Sequence, residues 1–253
     1  MANYKLLALD LDGTLLTEEK KITETAKRYI HEAVEQGVTV IFSTGRGIQT
    51  TEHLWNELGL QSPMVLLNGA ELWGGPGEVV ERHIIPKEDI IRLHQLAVEH
   101  DAWFWGYSEE ALTRKSEWTD EMFEREWMKF GIRHDDLEVI GPLREAVEEW
   151  GNLEVTRSAP VNMEISCQGI SKESGVRKVC SWLGIELSEV MAVGDNMNDA
   201  KLIKAAGLGV AMGNADEELK RIAKETTDTN ERDGVAKAIS QFLLGRTYSQ
   251  APA

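Results

Sequence analysis

Apolar positions along the chain gather into short continuous runs, and between them they recur at helical spacing. Residues 5–9 (KLLAL) read as a first buried strand, after which Ile22, Ala26, Tyr29, Ile30, Ala33 and Val34 follow a helical period until Gly37 stops it. Residues 38–42 (VTVIF) predict a second strand, Leu54, Trp55 and Leu58 mark one side of a second helix, and 63–67 (PMVLL) give a third strand. Strands that are apolar throughout, each followed by a helix, predict a parallel sheet covered on both faces: an α/β, doubly wound core. The rhythm returns late in the chain. It gives a helix through Val176, Val179, Cys180 and Leu183, a strand at 190–193, a helix through Leu202, Ile203 and Ala206, and the run 208–212. A helix through Leu219, Ile222 and Ala223 and a last helix near 234–244 complete it, and the tail 246–253 is expected to fray.

Between these halves the texture changes. Residues 102–107 (AWFWGY) alternate like a half-exposed strand, 152–157 and 161–166 look similar, and Pro86 and Pro142 stand where helices can begin. Five of the eight tryptophans (Trp103, Trp105, Trp118, Trp127 and Trp150) lie here, enough apolar mass for a small core of its own. The expected organisation is a core from residues 1–82 and 170–253 with an inserted α+β domain at 83–169. Alternating aromatics such as Trp103 and Trp105, and Trp118 nearby, more commonly form the core of a small sheet than a stacking platform for a ligand. His31, His53 and His94 are expected on the polar faces of helices, and no two histidines share a ligand spacing.

Composition narrows the partners. A chain of 253 residues, 42% hydrophobic and 28% charged, can bury a sizeable core, while a net charge of -16 excludes the basic footprint of a nucleic-acid binder and disfavours anionic lipid. An anionic substrate would need local positive charge from a few basic side chains and a metal. No apolar run approaches the roughly 18 residues that span a bilayer, so no membrane partner and a cytoplasmic location are expected. Cys167 and Cys180 are too few for a disulfide framework, and both thiols are expected free.

Chemistry clusters where strands end. Asp10 and Asp12 follow the first strand, Ser43, Thr44 and Arg46 the second, Lys172 opens a helix, and Asp195, Asn198 and Asp199 follow the strand at 190–193. In a parallel sheet these ends share one rim, where ligands bind. Four crowded carboxylates need a cation, and hard oxygen ligands without His or Cys point to Mg²⁺. Gly13 lets the chain turn so that Asp10 and Asp12 point differently. Asp10, ionised beside the metal, would attack phosphorus, and Asp12, held partly protonated, would serve as acid and then base. Thr44 and Lys172 would hold the phosphoryl oxygens.

Asp10-Leu11-Asp12-Gly13-Thr14, the Ser43-Thr44-Gly45-Arg46 segment, a later lysine and Gly194-Asp195-x-x-Asn198-Asp199 follow the order of motifs in the haloacid dehalogenase-like superfamily, and the chain resembles its Cof-type phosphatases. The resemblance covers residues 5–82 and 170–240, and the insertion between the second and third motifs resembles the type II cap. It implies Asp10 as aspartyl nucleophile and Asp12 as acid/base that lends its backbone carbonyl to Mg²⁺. It further implies Asp10, Asp12 and Asp195 as the metal set, and Thr44, Gly45, Lys172 and Asn198 as phosphate-binding residues. Asp199 would act through a water or through Lys172, Asn68 lies in the segment near the substrate, and Asn214 lies in a closing segment near phosphate or metal. One departure is that Lys172 is followed by Glu173, with glycine only at Gly175. Arg46 stays off the catalytic set, as a cap or surface ion pair is an equal account of it.

The resulting expectation is a Mg²⁺-dependent phosphatase acting on a small phosphorylated metabolite such as a sugar phosphate, as a monomer or small homo-oligomer. A phosphomutase with the same nucleophile, and a binder of phosphoryl ligands without turnover, are the alternatives. A dinucleotide loop at 207–213 fails on glycine spacing.

Overall fold

The computed structural model describes residues 4–249. Strand β1 (Leu6–Leu9) is buried at every position, as a strand covered on both faces must be. It sits between β2 (Thr39–Phe42) and β11 (Val190–Gly194), with Leu6 opposite Thr39 on one side and Val190 on the other, both pairings parallel. The order β13-β12-β11-β1-β2 is completed by β12 (Leu208–Ala211) and the short β13 (Glu225–Thr226). Beyond β2 a single parallel bridge, Ser43 to Val65, attaches β3 (Met64–Leu66), which continues as an antiparallel flap through β4 (Glu71–Gly75) and β5 (Glu78–Arg82).

Helices close both faces. Helix α1 (Glu24–Glu35) begins where the Thr23 side chain accepts the Ala26 N–H, and α2 (Glu52–Leu58) ends on left-handed Gly59. Helix α5 (Lys172–Leu183) opens on a reciprocal cap between Ser171 and Ser174, with Lys172 as its first residue. Helices α6 (Ala200–Ala205), α7 (Glu217–Ile222) and α8 (Gly234–Ala238) finish the layers. The final helix is shorter than its apolar pattern predicts, passing into a π-turn at Ile239–Leu243.

A second sheet, ordered β7-β6-β8-β10-β9 and antiparallel throughout, is built from β6 (Trp103–Ser108), β7 (Leu112–Arg114), β8 (Trp127–Arg133), β9 (Leu153–Thr156) and β10 (Asn162–Cys167). Helices α3 (Lys87–Glu99) and α4 (Leu137–Glu149) cover one face, and their Ile90, Leu93, Ile140 and Val147 pack with Phe104, Phe130, Ile132 and Ile165 in a separate apolar core. Pro86 caps α3 as expected, but Pro142 lies inside α4. Asp136 starts that helix by accepting the Glu138 N–H, and the bond that Pro142 forgoes is to Glu138, on an exposed turn where water can replace it. His94 also departs from its expected polar face, stacking on Trp118 at 5.6 Å with Phe104 and Phe123 edge-on to it.

The tail is docked rather than frayed through Ser249. Tyr248 stacks on Tyr29 at 5.7 Å, Arg246 pairs with Glu32, and the Tyr29 hydroxyl donates to the Ser249 carbonyl. Residues 250–253 of the expected frayed segment lie outside the described residues. Cys167 and Cys180 are both free thiols.

Candidate active site

The carboxyl ends of β1, β2 and β11 deliver their side chains to one rim, and α5 brings Lys172 in from beneath. Lys172 is wholly buried, and its Nζ lies 2.7 Å from both Asp10 Oδ1 and Asp199 Oδ1. The other Asp199 oxygen accepts the backbone N–H groups of Asp195 and Asn196 at 3.2 Å each. Asp199 is thereby fixed, and it fixes the lysine. Asp195 receives the Thr14 hydroxyl at 3.1 Å. Gly13 makes this approach possible: its φ of +76° suits glycine, and a Cβ there would stand 2.3 Å from Asp195 Oδ2.

Oxygens of Asp10, Asp195 and Asp199 lie within 4.8 Å of one another. Burial first, and then the neighbouring Asp199 charge, push Asp10 up to about 6 against the pull of Lys172. Burial followed by the charges of Asp10 and Asp199 pushes Asp195 up to about 8. Burial opposes the Lys172 charge, but Asp10 and Asp199 outweigh it and hold the ammonium above its ordinary range. One ammonium cannot balance three carboxylates, and the all-oxygen donor set suits a hard divalent cation, so these residues fit a metal ion.

Asp12 differs from its expected state. Although burial opposes its charge, Arg46 and Lys20 lower it to about 2. Arg46 grips both oxygens, Nε to Oδ2 at 2.6 Å and Nη2 to Oδ1 at 2.8 Å, and Lys20 Nζ reaches Oδ1 at 2.6 Å. The carboxyl expected to be partly protonated is therefore a clamped carboxylate. Arg46 accordingly belongs to the site.

Thr44 is buried at the end of β2, and its hydroxyl accepts the Arg46 N–H at 3.2 Å. Asn68, in the left-handed region at φ 56°, donates to Glu164 at 2.6 Å and accepts from the Asn198 side chain at 3.3 Å. Asp10, Asp12, Thr44, Gly45, Asp195 and Asn198 all line one cavity of about 550 Å³, and Lys172 reaches it only through its bond to Asp10. Asn214 does not line this cavity but contacts the turn at its edge. Its amide donates to the Gly13 carbonyl at 2.8 Å and its oxygen accepts the Asn230 N–H at 3.0 Å, so it braces the turn that carries Asp12. Sequence reasoning missed Lys20, Lys129, Asn162 and Glu164 on the cavity wall. The available signal was charge inside otherwise apolar runs, Lys129 in WMKFGIR and Glu164 in NMEISC.

A family model described as haloacid dehalogenase-like hydrolase matches residues 7–140 and 113–239. This chain is a haloacid dehalogenase-like hydrolase. It is 39% identical to the 5-amino-6-(5-phospho-D-ribitylamino)uracil phosphatase YcsE of Bacillus subtilis (strain 168), over 96% of this chain and 97% of that protein. It is 29% identical to the pyridoxal phosphate phosphatase YbhA of Escherichia coli (strain K12), over 95% and 99%. Among solved structures, a phosphatase of the same superfamily from Bacteroides thetaiotaomicron superposes with a TM-score of 0.83 at 28% identity, covering 95% of this chain and 96% of that one. The hydrolase is thus an enzyme of the phosphatase type, its parallel sheet the family core and its antiparallel sheet the cap. No helix among the described residues is long and apolar enough to cross a membrane.

Proposed function

We propose that this hydrolase is a Mg²⁺-dependent phosphatase that moves the phosphoryl group of a small metabolite monoester first to Asp10 and then to water. The observation that carries the reading is the buried Lys172 bridging Asp10 and Asp199, with Asp195 beside them, under a cavity of metabolite size. Asp10 is the nucleophile in this reading, and the Lys172 ammonium orients its carboxylate. Thr44, the Gly45 backbone, Lys172 and Asn198 bind the phosphoryl oxygens. Asp10, Asp195 and the Asp12 backbone carbonyl would hold the metal, with Asp199 supporting through Lys172. When bound, the cation supplies positive charge to the phosphoryl oxygens and screens the carboxylates from one another.

Asp12 moves the protons. As the ester P–O bond breaks, Asp12 gives its proton to the departing alkoxide, and the ionised carboxylate then takes a proton from the water that attacks the phospho-aspartate. The clamp by Arg46 and Lys20 suits the second role. For the first, a dianionic substrate must draw those cations toward itself and leave Asp12 free to hold a proton. Residues 83–169 act as the cap over the core halves 1–82 and 170–253, and their separate apolar cluster supports that division. Such multiply charged substrates do not cross a bilayer unaided, which favours a cytoplasmic setting.

The relative at 39% identity makes 5-amino-6-(5-phospho-D-ribitylamino)uracil the first substrate to try, with pyridoxal 5′-phosphate second. The test is phosphate release with Mg²⁺ and with chelator, using Asp10→Asn as control, alongside mass spectrometry of the quenched enzyme for a phosphorylated Asp10. Release that survives chelation or the Asp10→Asn change overturns the mechanism. Isomerised ester without free phosphate would instead identify a mutase.

A further inference from the structure

The far wall of the cavity belongs to the cap sheet. Along β6, β8 and β10, Phe104, Phe130, Ile132, Met163 and Ile165 pack beneath α3 and α4. By the strand period of two, Trp105, Lys129, Asn162 and Glu164 take the opposite face and line the cavity. Trp105 pairs with Gly131, which pairs in turn with Glu164. A Cβ on Gly131 would lie 2.3 Å from the Trp105 ring, so the glycine lets the indole lie across the neighbouring strand on the cavity face.

Lys129 and Glu164 form an ion pair at 2.7 Å with side chains only 3% and 7% exposed. A buried pair of this kind usually adds little stability over an apolar pair of the same shape, so stability does not account for it. Its hydrogen-bonding capacity is not fully used: Glu164 accepts from Lys129 and Asn68 through Oε2 and from Ser158 at 2.7 Å through Oε1, which keeps one lone pair. Lys129 spends donors on Glu164 and on the Gly45 carbonyl at 2.8 Å, leaving a third. Asn162 donates once to Ser158 and has a second N–H, while the buried Asn198 oxygen on the same cavity has no partner among the described residues. Donors and acceptors side by side match a chain of hydroxyls, each of which both donates and accepts.

We propose that this face reads the leaving group: Lys129 and Glu164 bind neighbouring hydroxyls of a polyol chain, and Trp105 stacks on a planar ring carried by that chain. The proposal rests on the phosphatase reading above and specifies which cap residues recognise the alcohol. The competing account is a latch, since Lys129 also reaches Gly45 of the core and Glu164 reaches Asn68. A latch would serve every substrate equally, whereas a reader discriminates among them.

The experiment compares kcat/KM of the full chain, Glu164→Gln, Lys129→Met and Trp105→Leu on four esters. These are 5-amino-6-(5-phospho-D-ribitylamino)uracil (chain and ring), ribitol 5-phosphate (chain), pyridoxal 5′-phosphate (ring) and p-nitrophenyl phosphate (ring without hydroxyls). Loss of a charge-assisted hydrogen bond predicts a fall of about 10- to 100-fold for Glu164→Gln on the two ribityl esters, with p-nitrophenyl phosphate within about threefold of wild type. Trp105→Leu should lower the ribitylaminouracil ester more than ribitol 5-phosphate. Both charge variants leave a buried partner unpaired, whereas Trp105 lies outside the cap core, so Trp105→Leu decides the matter if they do not fold. Equal losses on all four esters, or none, overturn the proposal. Wild-type enzyme inactive on every ester overturns the phosphatase reading instead.

Discussion

Stripped of divalent cations, the protein should lose stability as pH rises from about 4 to about 8. Asp10 has a folded value of about 6 against 3.8 for a free carboxyl, and Asp195 about 8 against 3.8, so the folded state binds more protons across this window than the unfolded chain does. A raised carboxyl contributes its stability below the unfolded value and loses it as pH climbs through the folded one. At about 1.4 kcal/mol per pH unit, Asp10 alone loses about 3 kcal/mol, and Asp195 adds in the same direction. For a chain of this length the Asp10 share alone corresponds to a Tm lower by about 6–12 °C at pH 8 than at pH 4, and Asp195 lowers it further. A bound divalent cation neutralises the cluster, so Mg²⁺ should raise Tm more at pH 8 than at pH 5. The assay is thermal unfolding from pH 5 to 8 in chelator and in Mg²⁺, with Asp195→Asn as the internal control. Removing that charge should flatten the chelator curve and shrink the Mg²⁺ effect. A chelator curve for wild type no steeper than that of Asp195→Asn, or a Mg²⁺ increment independent of pH, would refute the electrostatic account of the rim.

Single contacts lead to further expectations. Lys172→Met leaves two buried carboxylates without their cation, so stability should fall by about 3–5 kcal/mol, read by denaturant unfolding, with phosphate release lost in the folded fraction. Activity within tenfold of wild type would remove the lysine from the mechanism. Arg46→Ala should let the Asp12 carboxyl rise from about 2, measured by ¹³C NMR titration of the Mg²⁺-loaded protein, because one of its two clamps is gone; an unmoved titration would assign the clamp to Lys20 alone. Gly13→Ala combines a φ of +76° with a Cβ 2.3 Å from Asp195 Oδ2. It should cost about 1–3 kcal/mol and weaken Mg²⁺ binding by isothermal titration, and unchanged affinity would show that Asp195 is free to step aside.

The parallel core was legible because burial on both faces leaves a mark in sequence: LLAL, TVIF and VMAV are apolar at nearly every place, and the residues just past each strand must stand on the rim. Asp10, Thr44 and Asp195 were found by that logic alone. The partners of Asp12 were not, because Lys20 reaches it by a loop folding back at φ 62° and no local pattern encodes that return. The same limit hid the docking of Tyr248 on Tyr29, a contact between the two ends of the chain. In the cap, alternation assigned residues to two faces but could not say which face would meet the core. Trp105 and Trp118 looked equivalent in sequence, yet one lines the cavity and the other stacks on Trp127 at 4.6 Å.

The segment after β2 joins the two halves of the site. Thr44 lines the cavity, where the proposed mechanism gives it the phosphoryl end, while the glycines on either side of Arg46 leave the cap side of the loop bare. A Cβ at Gly45 would stand 3.1 Å from the Lys129 ammonium, and one at Gly47 would stand 2.9 Å from the Tyr107 ring. Side chains at these places would crowd Lys129 and Tyr107 of the cap against the loop. Arg46, between the two glycines, is left as the one large side chain of the turn and extends to Asp12 rather than into the cap. In the proposed mechanism the glycines of this loop would therefore serve the cap as much as the phosphate, because they set how closely the wall of Lys129 and Glu164 approaches Asp10 and how well water is excluded around it.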